Sequence, residues 1–429
     1  MITKNRKLRS QECGVSRMNV EVRAAGVERT VVEEVYVHPV DPVKVVCVRP
    51  DRRWVRRPRC GVCRERAPLY DRGHRRRWRS LDDGLLRVYL EADLPRVACR
   101  VHGVVMAAVP WARHGAGHTI PFDETVAWFA AGASKKLVAE LLRVNWHTVG
   151  SVLERVMADR DKEGGDRLAG VRRVGIDEVS FAKGQRYLTV VVCHDSGRLL
   201  YVVEGRSKKT VHGFFDLLGQ TRCDELTHVS ADGAEWIATV VAERAPSAAL
   251  CLDPFHVVKW AGDALDEVRR QVWNQARQAG MTEHAKQLKD SRYALWKKPQ
   301  DLTDKQELKL ALIQETNKPL YRAYLLKEQL RAVFAPGGPE RVYLLDAWLR
   351  WASRSRLKPF VKLARTIRAR RADIANALAF KLTNARVESL NTKIRLLIRR
   401  AYGFRSVEAL RAMILLCLAG YARPLPGRT

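Results

Sequence analysis

Acidic residues are scarce in this chain: 47 Asp and Glu stand against 77 Lys and Arg, a formal net charge of +30 over 429 residues. Such an excess is the footprint of a polyanionic partner, and nucleic acid is the commonest one. Long hydrophobic runs are also missing. The longest, AMILLCLAGYA at 412–422, is too short to span a bilayer. The opening MITKNRKLRSQEC has no apolar core of a secretory signal. The expectation is a soluble protein, cytoplasmic or nucleoid-associated, with no membrane partner. No internal repeat and no low-complexity tract interrupts it. Nine cysteines in an intracellular-looking chain read as thiols or metal ligands rather than as a disulfide framework.

The positive charge is concentrated. Residues 49–79 hold 13 Arg against Asp51, Glu65 and Asp71, and residues 353–372 hold eight Lys or Arg and no acid. Two separate basic surfaces suit a long polyanion better than a small anionic substrate; a merely solvated surface is the plain alternative. Within the first block, Arg52, Arg53, Arg56, Arg57, Arg75, Arg76 and Arg77 are candidate phosphate contacts.

Four metal-ligand residues occur as two short knuckles, Cys60-x-x-Cys63 and Cys99-x-x-His102. Zinc takes four such sulfur and nitrogen donors tetrahedrally, and a full set of protein ligands marks a structural site. Gly61 and Gly103 supply the backbone freedom of the turns. Cys47 is a spare candidate ligand; a redox dithiol at Cys60/Cys63 lacks a surrounding thioredoxin-type pattern.

Residues 121–159 fit a helix-turn-helix, with helices at about 123–131 and 134–142 and a third begun by Asn145. Ser134 is the expected N-cap of the second helix, and Val149 and Leu153 form the apolar stripe of the third. Asn145, Trp146, His147, Thr148 and Ser151 then stand near the start of a recognition helix, where base edges are read. Any small three-helix packing shares the pattern.

Residues 171–203 read as three strands with turns at Lys183-Gly184 and Ser196-Gly197. A helix, a strand ending in Asp232-Gly233, another helix and a strand ending at Asp253 follow. The order βββαβαβ is that of a ribonuclease H-like mixed sheet, whose first and fourth strands are neighbours. Asp177 and Asp232 would then meet at one edge, an arrangement that needs divalent metal. Glu178 is expected to face outward, since adjacent strand residues point to opposite faces. A third acid is expected from a later helix, and Glu388 is the best candidate. There Asn384, Glu388, Asn391 and Thr392 are assigned to one polar face, and Leu390, Ile394 and Leu397 to the core. Lys393, Arg395, Arg399 and Arg400, with Arg405, suit flanking phosphates.

CGVC with the later CRVHG, the helical trio, GIDE, SADGAEW, DPFHVVKW and NARVESLNTKIRLLIRRAYGFRS occur in an order that resembles the ISL3 family of bacterial insertion-sequence transposases, over roughly residues 41–421. The resemblance implies a DDE transposase with triad Asp177, Asp232 and Glu388, supported by Asp253 and His256. It implies Mg²⁺ or Mn²⁺ in the catalytic site, two ions, and structural Zn²⁺ in the finger. The implied partners are double-stranded DNA, as inverted-repeat ends and as target, and further copies of the chain. The family finger often ends in Cys where this chain has His102, a change that still suits zinc. The expected organisation is multidomain α/β: a weakly patterned extension (1–40), a zinc-finger DNA-binding domain (41–118), a helix-turn-helix (119–160), the first part of a ribonuclease H-like core (171–259), a mostly helical insertion (260–375), and the last part of the core with the catalytic Glu (376–421). The alternatives are a transposase-derived DNA-binding regulator and a ribonuclease H-like nuclease without strand transfer.

Overall fold

The computed structural model describes residues 29–335, 340–422 and 425–426; most of the extension expected at 1–40 lies outside them. The chain forms two compact units, Met1–Gly165 with Leu396–Thr429, and Asp166–Arg395.

In the first unit, β1 (Thr30–Val37) and β2 (Val43–Pro50) lead through a short helix α1 (Arg52–Val55) to β3 (Leu69–Arg79), β4 (Arg87–Cys99) and β5 (Gly103–Met106). The strands form one sheet in the order β1-β2-β4-β3, with β5 on β4. β1 falls in the stretch that lacks a sequence pattern. Its register shifts between Val32 and Glu34, and that irregularity breaks the alternation by which a strand is recognised. The long β4 serves three partners: it pairs antiparallel with β3 along most of its length, its first residues pair parallel with β2, and its last, Arg96 to Cys99, pair antiparallel with β5.

Three helices follow: α2 (Ile120–Ala130), α3 (Lys135–Leu141) and α4 (Trp146–Glu163). Each starts on a side-chain cap, from Thr119, Ser134 and Asn145 respectively, which satisfies amide donors the helix cannot. Val149 and Leu153 are fully buried, as their spacing requires. A buried ion network braces the trio. The Arg113 guanidinium meets Asp159 at 2.6 Å and also contacts Asp123 and Glu124, while Arg155 reaches Asp123 at 3.1 Å. The C-terminal helix Val407–Leu418 packs on α4, at a point where Gly150 faces Ala409.

The second unit is a ribonuclease H-like mixed sheet. Its strands β6 (Arg173–Ala182), β7 (Arg186–Cys193), β8 (Leu199–Glu204), β9 (His228–Ala231) and β10 (Ala249–Leu252) lie in the order β10-β9-β6-β7-β8. β6, β7 and β8 form an antiparallel meander, while β9 and β10 run parallel to β6. The expected adjacency of the first and fourth strands is therefore observed. Gly184 and Gly197 turn the meander with φ of 79° and 70°, a region that suits glycine. One face of β6 packs through Val174 and Ile176 on α5 (Lys208–Leu218) and α6 (Glu235–Arg244). After α7 (Pro254–Gln278), an insertion that is helical among the described residues builds its own core around Trp348, Phe360 and Ile367.

α8 (Ala385–Arg400) returns to the other face of β6. The approach is close: a Cβ on Gly175 would lie 2.5 Å from Val387, 2.8 Å from His194 and 3.0 Å from Ser230. Replacing Gly175 by Ala should therefore push the helix off the strand and destabilise this unit by about 1–3 kcal/mol. A chemical unfolding curve whose midpoint does not fall would contradict this packing.

Candidate metal centres and DNA-facing surfaces

The cysteine and histidine knuckles come together. The donor atoms of Cys60, Cys63, Cys99 and His102 all lie within 4.8 Å of one another, the one group of at least three such donors that close among the described residues. The Sγ atoms of Cys63 and Cys99 are 3.7 Å apart, and His102 Nδ1 is 3.6 Å from Cys99 Sγ. The β4–β5 hairpin delivers Cys99 and His102, turning at Gly103 with φ of 67°. Gly61 serves differently from the expectation. Its role is room, since a Cβ there would meet His114 Nδ1 at 2.5 Å and the Met106 carbonyl at 2.6 Å. Hydrogen bonds from the His102 amide, the His102 ring and the Val101 amide lower the Cys99 thiol to about 6, which favours the thiolate that a metal takes. Cys47 is not among the four; it is buried, with Arg75 at 3.9 Å.

The carboxylates are placed by strand register. Gly175 pairs with Ser230 and Ala231 with Leu252, so two further residues along the first pair and one along the second set Asp177, Asp232 and Asp253 in a row across three parallel neighbours. Adjacent strands are roughly 4.8 Å apart. Asp232 Oδ1 accepts from the Ala234 amide at 3.0 Å, and Asp177 Oδ1 from the Glu178 amide at 2.8 Å. Burial, followed by repulsion from Asp232 and Asp253, pushes the Asp177 carboxyl up to about 6 against the opposing effects of the Glu178 amide and His256. Asp253 is 2 % exposed and holds His256 Nδ1 at 3.0 Å. That hydrogen bond raises the imidazole above its ordinary value.

Glu178 departs from the expectation. Its side chain is 6 % exposed, because the opposite face of this central strand is covered by α5 and α6. Burial and Asp232 push its carboxyl up to about 7, opposed by Arg206 at 3.4 Å.

On α8 the expected polar face divides. Glu388 and Thr392 are exposed, whereas Asn384 and Asn391 are buried with Val387, Leu390 and Ile394. Asn391 Nδ2 donates to Asp177 Oδ2 at 2.9 Å, and the Asn384 amide donates to Asp253 Oδ1 at 3.3 Å. The Glu388 carboxylate itself does not form a tight cluster with Asp177 and Asp232. The sequence places both asparagines on the polar face of Glu388; the structure instead turns them inward, on the stripe of 384, 387, 391 and 394.

The expected DNA contacts fall into two groups. Arg52, Arg53, Arg56 and Arg57 are exposed on and beside α1, and Trp146, His147 and Ser151 are exposed at the start of α4, with Thr148 half-buried. Lys393, Arg395 and Arg399 are also exposed. Others are already engaged. Asn145 uses its side chain to cap α4 through the His147 amide, Arg75 and Arg77 both contact Glu91, and Arg76 lies over the Trp78 ring. Arg400 donates to the Ala131 carbonyl at the end of α2. These residues hold the fold as well as carrying charge. Among the described residues, no helix is long and apolar enough to cross a membrane.

A metal-binding ribbon, a helix-turn-helix and aspartates on a ribonuclease H-like sheet are together the parts of a DNA transposase of the DDE class. Comparison with known proteins agrees part by part. A zinc-finger model of the transposases IS204/IS1001/IS1096/IS1165 matches residues 56–102, a helix-turn-helix model of transposase family ISL3 matches residues 107–157, and the ISL3 DDE transposase model matches residues 174–414. The transposase for insertion sequence element IS1557 of Mycobacterium tuberculosis is 50% identical over 94% of this chain and 95% of its own length. The transposase for insertion sequence element IS1001 of Bordetella parapertussis is 26% identical, over 85% of this chain and 89% of its own. The chain belongs to the ISL3 family of transposases.

Proposed function

We propose that this transposase binds the terminal inverted repeats of its own element, cuts DNA there, and joins the freed 3′-OH to target DNA. The observation that carries the reading is the row of Asp177, Asp232 and Asp253 in register, with α8 held on the same face of the sheet. An all-oxygen donor set suits Mg²⁺ or Mn²⁺. The raised Asp177 carboxyl also fits, because burial and then neighbouring like charges disfavour ionisation and a cation beside them offsets that penalty.

Asp177 and Asp232 would hold the ions, and Glu388 would complete the set by turning its exposed carboxylate one helical turn from Asn391 toward Asp177. Bound divalent ions supply the charge stabilisation of an in-line phosphoryl transfer. Asp253 fixes the His256 ring through Nδ1, leaving Nε2 to face a DNA phosphate. Because the attacking groups are water and then a DNA hydroxyl, no Ser or Tyr nucleophile is required. The exposed residues at the start of α4 would read the repeat, with Arg52, Arg53, Arg56 and Arg57 on the flanking backbone. Cutting two ends together calls for at least a dimer on DNA, in the cytoplasm or on the nucleoid. In the ribbon, three thiols and one imidazole are the donors that suit Zn²⁺.

Two experiments test this reading. In a joining assay with element-end DNA, target plasmid and Mg²⁺ or Mn²⁺, the wild type should give joined product and Glu388→Gln should give none. Cleavage without joining would favour a nuclease, and binding alone a regulator. Separately, Cys60→Ala should reduce bound zinc, by elemental analysis, from one equivalent to near none and weaken binding to the end DNA. Unchanged zinc content would refute the ribbon assignment.

A further inference from the structure

Two buried asparagines, Asn384 just before α8 and Asn391 within it, flank Glu388 in sequence, and each reaches an aspartate of the row by a different route. Asn391 is 2 % exposed and Asn384 1 % exposed. The Asn384 backbone amide donates to Asp253, while its side chain accepts from Ser230 Oγ, which is 2.6 Å from His194 Nε2. Asn384 Nδ2 also lies 3.5 Å from the carbonyl of Ile176, the residue before Asp177. The polar chain thus pins the first turn of the helix to three strands. Seven residues on, Asn391 Nδ2 donates to Asp177 itself.

Asn391 is costly where it stands. Its Oδ1 is buried with no hydrogen-bond partner among the described residues, and such an acceptor disfavours the fold. Val387, Leu390 and Ile394 around it are apolar, so a leucine would satisfy the packing stripe. The amide therefore contributes something packing does not need. Only its NH₂ side can face a carboxylate, because the reverse orientation would set two acceptors together.

We infer that Asn391 is a positioning residue of the catalytic centre: its amide orients the Asp177 carboxylate while Asn384 fixes the rotation of α8, so that Glu388 is delivered between them to the same face. This rests on the reading of Asp177 and Glu388 as metal-holding carboxylates. Outer-shell partners of this kind typically tune metal affinity by roughly 10–100-fold.

The test uses the full chain and Mn²⁺ alone, with affinity read by titration calorimetry and by the spin-resonance signal of free Mn²⁺, alongside the metal-free unfolding temperature. Asp177→Ala should abolish binding at this site. Asn391→Leu should weaken it at least about ten-fold with the unfolding temperature unchanged or higher. Asn391→Ser, which keeps a donor on a shorter arm, should fall between; if the leucine variant does not fold, the serine variant decides. Binding lost in Asp177→Ala but equal to wild type in the folded Asn391 variants overturns the positioning role alone. Binding unchanged in Asp177→Ala overturns the metal-centre reading and the positioning role with it.

Discussion

The constraint on which the second unit depends is the burial of the Asp177 carboxylate beside two further carboxylates on adjacent parallel strands. Asp177 has a raised carboxyl because burial removes water while Asp232 and Asp253 add like charge. A fold gains nothing in stability from burying such a row unpaired, and hydrogen bonds surround it. The Glu178 and Ala234 amides, His256 and Asn391 each attend to one aspartate. Strain of this sort is expected where charge is held ready for a cation and a phosphate. The rest of the unit follows from it: a parallel trio of strands to set the register, glycine at 175 to admit α8, and a buried polar chain to lock that helix.

The first unit solves a different problem. An Arg-rich sheet packs its own apolar core around Trp78, Leu90 and Trp111, and two polar devices add to it: the Cys and His quartet at the β4–β5 hairpin and the Arg113 network that braces the helical trio. Both fix geometry through specific polar partners. That leaves outward-facing arginines and the start of α4 free to meet a polyanion.

Much of this was legible in the sequence where function imposes local chemistry. The two knuckles, the Ser134 cap, the glycine turns at 184 and 197, and the βββαβαβ order each write a short-range signature. What was not legible depends on the faces of elements. Glu178 reads as an outward strand residue, and only the helices packed on that face make it buried. Asn391 lies one position from Leu390, so the sequence alone does not tell which of them turns inward; both do. Arg75, Arg77 and Arg400 carry charge suited to DNA, yet ion pairs and carbonyls within the fold engage them first. β1 is hidden by its own irregular register.

Whether Asp177, Asp232 and Glu388 hold one metal centre is decided by crystals of the full chain grown with Mn²⁺ and measured at the manganese absorption edge. Anomalous density bounded by Asp177 and Asp232 is expected, with the Glu388 side chain turned in from its exposed position to the same peak. Manganese bound elsewhere, with these three carboxylates free of it, would exclude a shared metal centre.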